Sequence, residues 1–263
     1  MLKNNKKQNL IDSKSIEEKL KQVSIKEYEK VKEVILISDE NKNKLVSDLE
    51  NYPHAFVLAC AMDRQINADR AWSIPYEIKQ ALGDFSIDTL YHVTLDEYKR
   101  IFNEKKLHRF NDDMATVFYK TVQKIVEEYN SDASNIWEGN PSSATVVSRF
   151  LDFDGIGIKI ATMATNILAR NFKIPLSDYY SIDISPDIHV KRLFKRMGLI
   201  KKKDMNNIDK IIYKARSINP EFPGVIDLTC WKLGRTICRP KDPRCNQCIL
   251  KNVCPKVIDL DDI

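Results

Sequence analysis

The stretch Phe153-Asp154-Gly155-Ile156-Gly157-Ile158-Lys159-Ile160-Ala161 decides the fold of this chain. Before it, Ser142 to Leu151 reads as a helix with Pro141 at its start. After it, Ile160, Met163, Ala164, Ile167 and Leu168 recur at helical spacing. Two glycines with one apolar residue between them let the backbone turn sharply while Ile156 anchors the turn in the core. The N–H groups of the turn and of the following helix start then face outward, where they suit a phosphate. A turn of this kind taken alone serves equally well as a purely structural link between two helices.

Outward from the hairpin the helical pattern continues. Met114, Val117, Phe118, Val122, Ile125, Val126 and Tyr129 mark an amphipathic helix over 111–129. Ser15-x-x-Glu18 has the form of a capping box, predicting a helix that opens there with Ile16, Leu20 and Val23 on one side. The run from Ala55 to Met62 is apolar on all sides and, with no alternating segment to pair with as a strand, is predicted to be a buried helix. Seven glycines in 263 residues disfavour a turn-rich β architecture. The segment 171–185, with Pro175 and few periodic positions, reads as a loop between two parts of the molecule. No solenoid repeat and no membrane-length apolar run occurs, so an all-α protein without a membrane partner is expected.

Four of the six cysteines stand as Cys238-x6-Cys245-x2-Cys248-x5-Cys254. A disulfide framework suits short secreted chains, so a reducing compartment (for a prokaryotic chain the cytoplasm, in association with the nucleoid) and a shared metal group are expected instead. Structural zinc prefers two short pairs, and only Cys245 and Cys248 form one. The wider outer gaps favour a 4Fe-4S cube, in which each thiolate binds a different iron, while leaving zinc open. Cys60 and Cys230 read as core residues.

The net charge of +5 says little, but its distribution says more. Lys191, Arg192, Lys195, Arg196, Lys201, Lys202 and Lys203 form one basic run without an acid. Lys232, Arg235, Arg239, Lys241, Arg244, Lys251 and Lys256 face only Asp242 in a second. Either run suits a polyanion, or a solvated surface.

A helix, an apolar-x-Gly-x-Gly-x-Lys hairpin, a second helix, a later Asp at a helix start and the C-x6-C-x2-C-x5-C loop together resemble the endonuclease III branch of the helix-hairpin-helix DNA glycosylases. The resemblance covers about 51–255 and is sharpest in its second half. It implies a six-helix barrel module over 43–172, with the helix-hairpin-helix at about 142–170. Residues 1–42 plus 173–263 would form a helical cluster domain whose iron-sulfur loop, 238–254, holds a 4Fe-4S cluster on Cys238, Cys245, Cys248 and Cys254. The implied activity is that of a monomeric base-excision-repair glycosylase acting on double-stranded DNA with a damaged or mismatched base. Lys159 takes the role of the nucleophile of the bifunctional members, which also cleave the abasic site, and Asp187 that of the carboxylate completing the site.

The residues fit these roles. Lys159 falls in the first turn of a helix, where the positive end of the dipole works against a charged side chain, as suits an amine that must attack a sugar C1′. Asp187 follows a Ser-Pro helix start, where the dipole favours a carboxylate that can stabilise positive charge on the sugar. Each also has a plain alternative, a phosphate contact for Lys159 and a helix cap for Asp187. DNA contacts are expected from Gly155, Ile156, Gly157 and Ile158 of the hairpin, and from Lys191, Arg239, Lys241 and Arg244.

Three departures from the family pattern stand out. The hairpin opens Phe153-Asp154-Gly155 where Leu-Pro-Gly is usual, and the interval from Lys159 to Asp187 is long. Ala61-Met62-Asp63-Arg64-Gln65 replaces Ala-Gln-x-Thr-Asp, so Met62 or a neighbour would fill the gap left by a flipped base, and Asp63, Arg64 and Gln65 are candidates to line the pocket or touch the opposite strand, or else ordinary helix-surface residues. Alternative functions are a monofunctional glycosylase using water directed by Asp187, a non-catalytic iron-sulfur DNA-binding or redox-sensing module, and a zinc-bound adaptor.

Overall fold

The computed structural model describes residues 2–258, with side chains from Ser15 onward. Every regular element among them is helical: α1 (Leu2–Lys30), α2 (Glu40–Ser47), α3 (Pro53–Met62), α4 (Ala68–Leu82), α5 (Ile87–His92), α6 (Leu95–Lys105), α7 (Asn111–Glu128), α8 (Ser143–Leu151), α9 (Ile158–Arg170), α10 (Ile188–Arg196), α11 (Ile208–Ile218) and α12 (Asp227–Thr236), with short 3-10 turns between some of them. The chain divides into an internal unit, Glu33–Ser177, and a terminal unit made from the segments on either side of it.

The internal unit is built around α3. All ten of its residues are buried, because no face of Pro53-His-Ala-Phe-Val-Leu-Ala-Cys-Ala-Met62 carries a charge to turn toward water. Helices α2, α4, α7 and α9 pack against it. Its one polar side chain, His54, is satisfied by a 2.8 Å bond between Nε2 and the carbonyl of Phe85. Six helices of nine residues or more fill the unit, and the shorter α2 and α5 join them. Residues 33–42, placed from sequence with the terminal segments, pack here instead. Asn43 Oδ1 accepts from the N–H groups of Leu36 and Ile37, and Asn43 Nδ2 donates to Val34 O.

In the terminal unit α1 packs on α11, α12 and the 3-10 turn Pro223–Ile226. Ile16, Leu20 and Val23 point inward as their spacing predicts. Ser15, however, is no helix start, because α1 runs through it from Leu2. No glycine or proline lies between residues 2 and 30 to end a helix before Ser15. The segment between α9 and α10 carries no helix. It is pinned by the bidentate Arg216–Asp183 pair, both contacts 2.8 Å, and by Tyr179 stacked on Phe222.

Candidate functional site

In the internal unit α8 ends at Leu151 and α9 begins at Ile158, with the glycine turn between them. Phe153 and Ile156 are buried and joined by a 3.1 Å bond from Ile156 N to Phe153 O, which closes the turn onto the core. Gly155 has φ +80°, and a Cβ there would stand 3.2 Å from Val117 Cγ1. Gly157, the N-cap of α9, has no heavy atom within 4 Å of where a Cβ would lie, so its backbone is open to an approaching group. Ile158 and Lys159 are exposed beside it, Lys159 in the first turn of α9. The extra acid of the hairpin, Asp154, faces Lys120 Nζ at 2.6 Å and is thereby partly neutralised.

The turn after α3 shows which of its residues can reach outward. Met62 is fully buried as the last residue of the apolar helix, so it cannot be the residue that enters a DNA gap. Arg64 and Gln65 are exposed, and Gln65 sits at the turn's tip with φ +57°. The buried His108 accepts from Phe110 N through Nδ1, which places its ring proton on Nε2. Burial holds this histidine below its ordinary range and so neutral. Asp63, half-buried at the end of α3, has the Lys159 charge and the Trp72 indole among the groups that bear on its carboxyl. Burial pushes its carboxyl up, and those two partners pull it back only in part.

In the terminal unit Asp187 caps α10. Its Oδ1 accepts from His189 N and Val190 N, both at 2.8 Å, which leaves Oδ2 unengaged by any described hydrogen bond. His189 Nδ1 meets Arg192 Nη2 at 3.0 Å, and its ring lies against Gly234 of α12, where a Cβ would fall 2.6 Å from His189 Cβ. Burial lowers its basicity, so His189 serves as a packing residue of the helix start.

Cys238, Cys245, Cys248 and Cys254 line one cavity together with Arg196, Ile237, Lys251, Lys256 and Ile258. Among the described residues no three His, Cys, Asp or Glu converge as ligands of a single ion. Four sulfurs around one cavity are the donor set of a group bound by four thiolates. Two of the sulfurs already receive N–H donors, Cys248 Sγ from Leu250 at 3.4 Å and Cys238 Sγ from Arg196 at 3.5 Å. The charged residues bordering the cavity are all cations, which offset four thiolates. Burial raises the Cys248 and Cys254 thiols, so binding a metal group here would release protons.

The first basic run divides in two. Lys201 to Lys203 are exposed and Lys191 half-buried, but Arg192, Lys195 and Arg196 are 7%, 3% and 2% exposed, out of reach of a phosphate. The two arginines instead hold the cysteine loop by its carbonyls. Arg192 donates to Cys238 O and Gly234 O, and Arg196 to Arg239 O and Pro240 O. Their i, i+4 spacing on α10 was the available signal, since it places both on one face. In the second run Lys241 and Arg244 are exposed, while Arg239 pairs with Asp242 at 2.7 Å. Cys60 and Cys230 are fully buried, and burial raises both thiols well above their usual range, as befits core residues.

These features define an all-helical protein with a glycine hairpin, a capped aspartate and a four-cysteine loop. In sequence and in fold it is endonuclease III-like. It is 29% identical to the endonuclease III of Thermotoga maritima over 41% of this chain and 45% of the relative. It is 28% identical to that of Synechocystis sp. over 51% of each. The chain spans about half the length of the curated relatives it matches. No family model matches. Among solved structures it resembles a trapped endonuclease III–DNA covalent intermediate, with a TM-score of 0.61 and 15% identity over 93% of this chain and 96% of that one. A thermostable thymine-DNA glycosylase gives 0.56 and 13%, over 83% and 97%. At these identities the structural likeness is one of fold.

Proposed function

We propose that this chain is a base-excision-repair DNA glycosylase that also cleaves the abasic site, acting as a monomer on damaged or mismatched double-stranded DNA in the cytoplasm. The observation that carries the reading is the placement of Lys159, exposed in the first turn of α9 beside the open Gly157 backbone, so that a phosphate bound at the turn would bring a sugar toward its amine. A covalent enzyme–DNA intermediate of endonuclease III, whose fold the chain shares, supports the same chemistry.

In this mechanism the Lys159 amine attacks C1′ of the flipped nucleotide and the base leaves with its bonding electrons. The Asp187 carboxylate, fixed by two N–H bonds through Oδ1, stabilises the positive charge on the sugar through Oδ2. The sugar ring opens to an imine on Lys159, and elimination then cuts the strand. Gln65 and Arg64, exposed at the turn after α3, would enter the gap in the duplex. The four cysteines would hold a 4Fe-4S cluster, which when bound braces the 238–254 loop so that Lys241 and Arg244 meet DNA phosphates.

Borohydride reduction on abasic-site DNA tests this reading. A covalent adduct is expected from the wild type and none from Lys159→Gln. Equal trapping by the two would remove the lyase assignment. Asp187→Asn should lower base release by about 10²-fold or more while leaving DNA binding within a few-fold. The unengaged Oδ2 also favours a second reading, a monofunctional glycosylase in which Asp187 directs a water. Base release without any adduct in the wild type would select it.

A further inference from the structure

We propose that Lys120, which lies on α7 outside the hairpin, contacts a DNA phosphate at the glycine turn and is held there by Asp154, an inference that rests on the DNA-binding reading above. Helix α7 meets the hairpin along one face, and the contacts run in opposite order on the two segments. Lys124 Nζ stands 5.8 Å from the centre of the Phe153 ring, Lys120 Nζ is 2.6 Å from Asp154 Oδ2, and Val117 Cγ1 lies 3.2 Å from where a Gly155 Cβ would fall. Val117, Lys120 and Lys124 are spaced i, i+3 and i+7, which puts them on a single helical stripe. Tyr129, just past the end of α7, stacks on Phe153 with ring centres 5.7 Å apart. The turn is thereby fixed against α7, and Lys120 is fixed beside the residue that opens it.

The two lysines of this stripe differ in how much of their charge is left for a partner. Lys124 is 18% exposed, lies over the Phe153 ring and pairs with Glu128 at 2.6 Å. Lys120 is 57% exposed, and its one described ion pair is with Asp154. An ammonium has three N–H donors, so Lys120 keeps donors for a second anion. The N–H groups of Gly155 and Gly157 enter no hydrogen bond among the described residues. A phosphate on these groups would stand beside the Asp154 carboxylate, which repels it unless a cation is placed with it. Lys120 is that cation. A pair this exposed adds little to folding stability, and its effect falls on the anion that approaches the turn.

The distinguishing measurement is the slope of log K against log salt for the full chain on a duplex carrying a non-reactive abasic analogue. Lys120→Gln should reduce the slope by about 0.9 and weaken binding, because one phosphate contact is lost and the Asp154 carboxylate is bared. The double variant, Lys120→Gln with Asp154→Asn, separates a phosphate contact from mere neutralisation of the acid. It should recover part of the affinity yet keep the reduced slope. Wild-type affinity and slope in the double variant would overturn the proposal, since the pair would then only cancel itself. Asp154→Asn alone should bind no more tightly than the wild type, and a tighter complex would mean that Asp154 repels DNA without holding Lys120 in place. Lys120→Arg, which keeps the cation, should keep the slope. So should Lys124→Gln, whose charge is already paired, and a loss of about 0.9 there would reduce the result to a general charge effect. Both members of the pair are exposed, so thermal melts of these variants should match the wild type. A wild type that binds no duplex would remove the DNA reading and this inference with it, an outcome distinct from failure of the variants alone.

Discussion

Two glycines separated by one residue do different work in the hairpin. Gly155 occupies the left-handed region at φ +80°, which an L side chain enters at a cost of about 1–2 kcal/mol, and Val117 stands 3.2 Å from the Cβ it would gain. Gly157 has φ −94° and open space around it. Gly155→Ala should therefore lower unfolding free energy by about 1–3 kcal/mol. Gly157→Ala should cost less than about 1 kcal/mol yet weaken DNA binding, because the new methyl group stands where a phosphate would meet the backbone. Denaturant melts paired with duplex titrations separate the two, and equal stability losses would show that Gly157 is also a folding requirement. The hairpin was legible in the sequence because its cause is local, a φ that only glycine adopts readily. The packing of α9 against α3 was not, because it joins segments far apart in the chain. The burial of Met62 follows from the length of α3, whose last residue it is.

At the level of helices, the apolar runs gave α3 and α7 directly, since an uncharged run or a helical stripe has few other solutions in water. The basic run on α10 misled because a count of charges ignores helical phase. Lys191 stays at the surface while Arg192 and Arg196 turn inward to the carbonyls of the cysteine loop. Thus α10 carries the Asp187 cap at its start and the two arginine anchors along its length, and its contact with α12 fixes all three. Gly234 is the residue that permits this contact, since a Cβ there would overlap His189 Cβ at 2.6 Å and Nδ1 at 2.8 Å. Gly234→Ala is expected to destabilise by about 1–3 kcal/mol as α10 is pushed away. Because His189 N also donates to Asp187, base release should fall together with stability. Thermal melts and single-turnover base release should move together, and full activity in a destabilised Gly234→Ala would uncouple the aspartate from this helix contact.

For the molecule as a whole, a net charge of +5 over 263 residues makes binding to a polyanion depend on which cations are free rather than on how many there are. On the cysteine loop Lys241 and Arg244 are exposed, whereas Arg239 is held by the Asp242 carboxylate and carbonyl. Removing one cation from a phosphate should reduce the slope of log K against log salt by about 0.9. Lys241→Gln with Arg244→Gln should therefore flatten the slope by about 1.8, and do so equally for damaged and undamaged duplexes, because phosphate contacts carry no sequence information. Arg239→Gln should change the slope less, since its guanidinium is already paired and the exposed Asp242 left behind would repel DNA without freeing any phosphate. Titrations of each variant over a range of salt concentrations give these slopes. A slope unchanged in the double variant would move the phosphate-binding surface off the cysteine loop and onto other exposed lysines, Lys201 to Lys203 first.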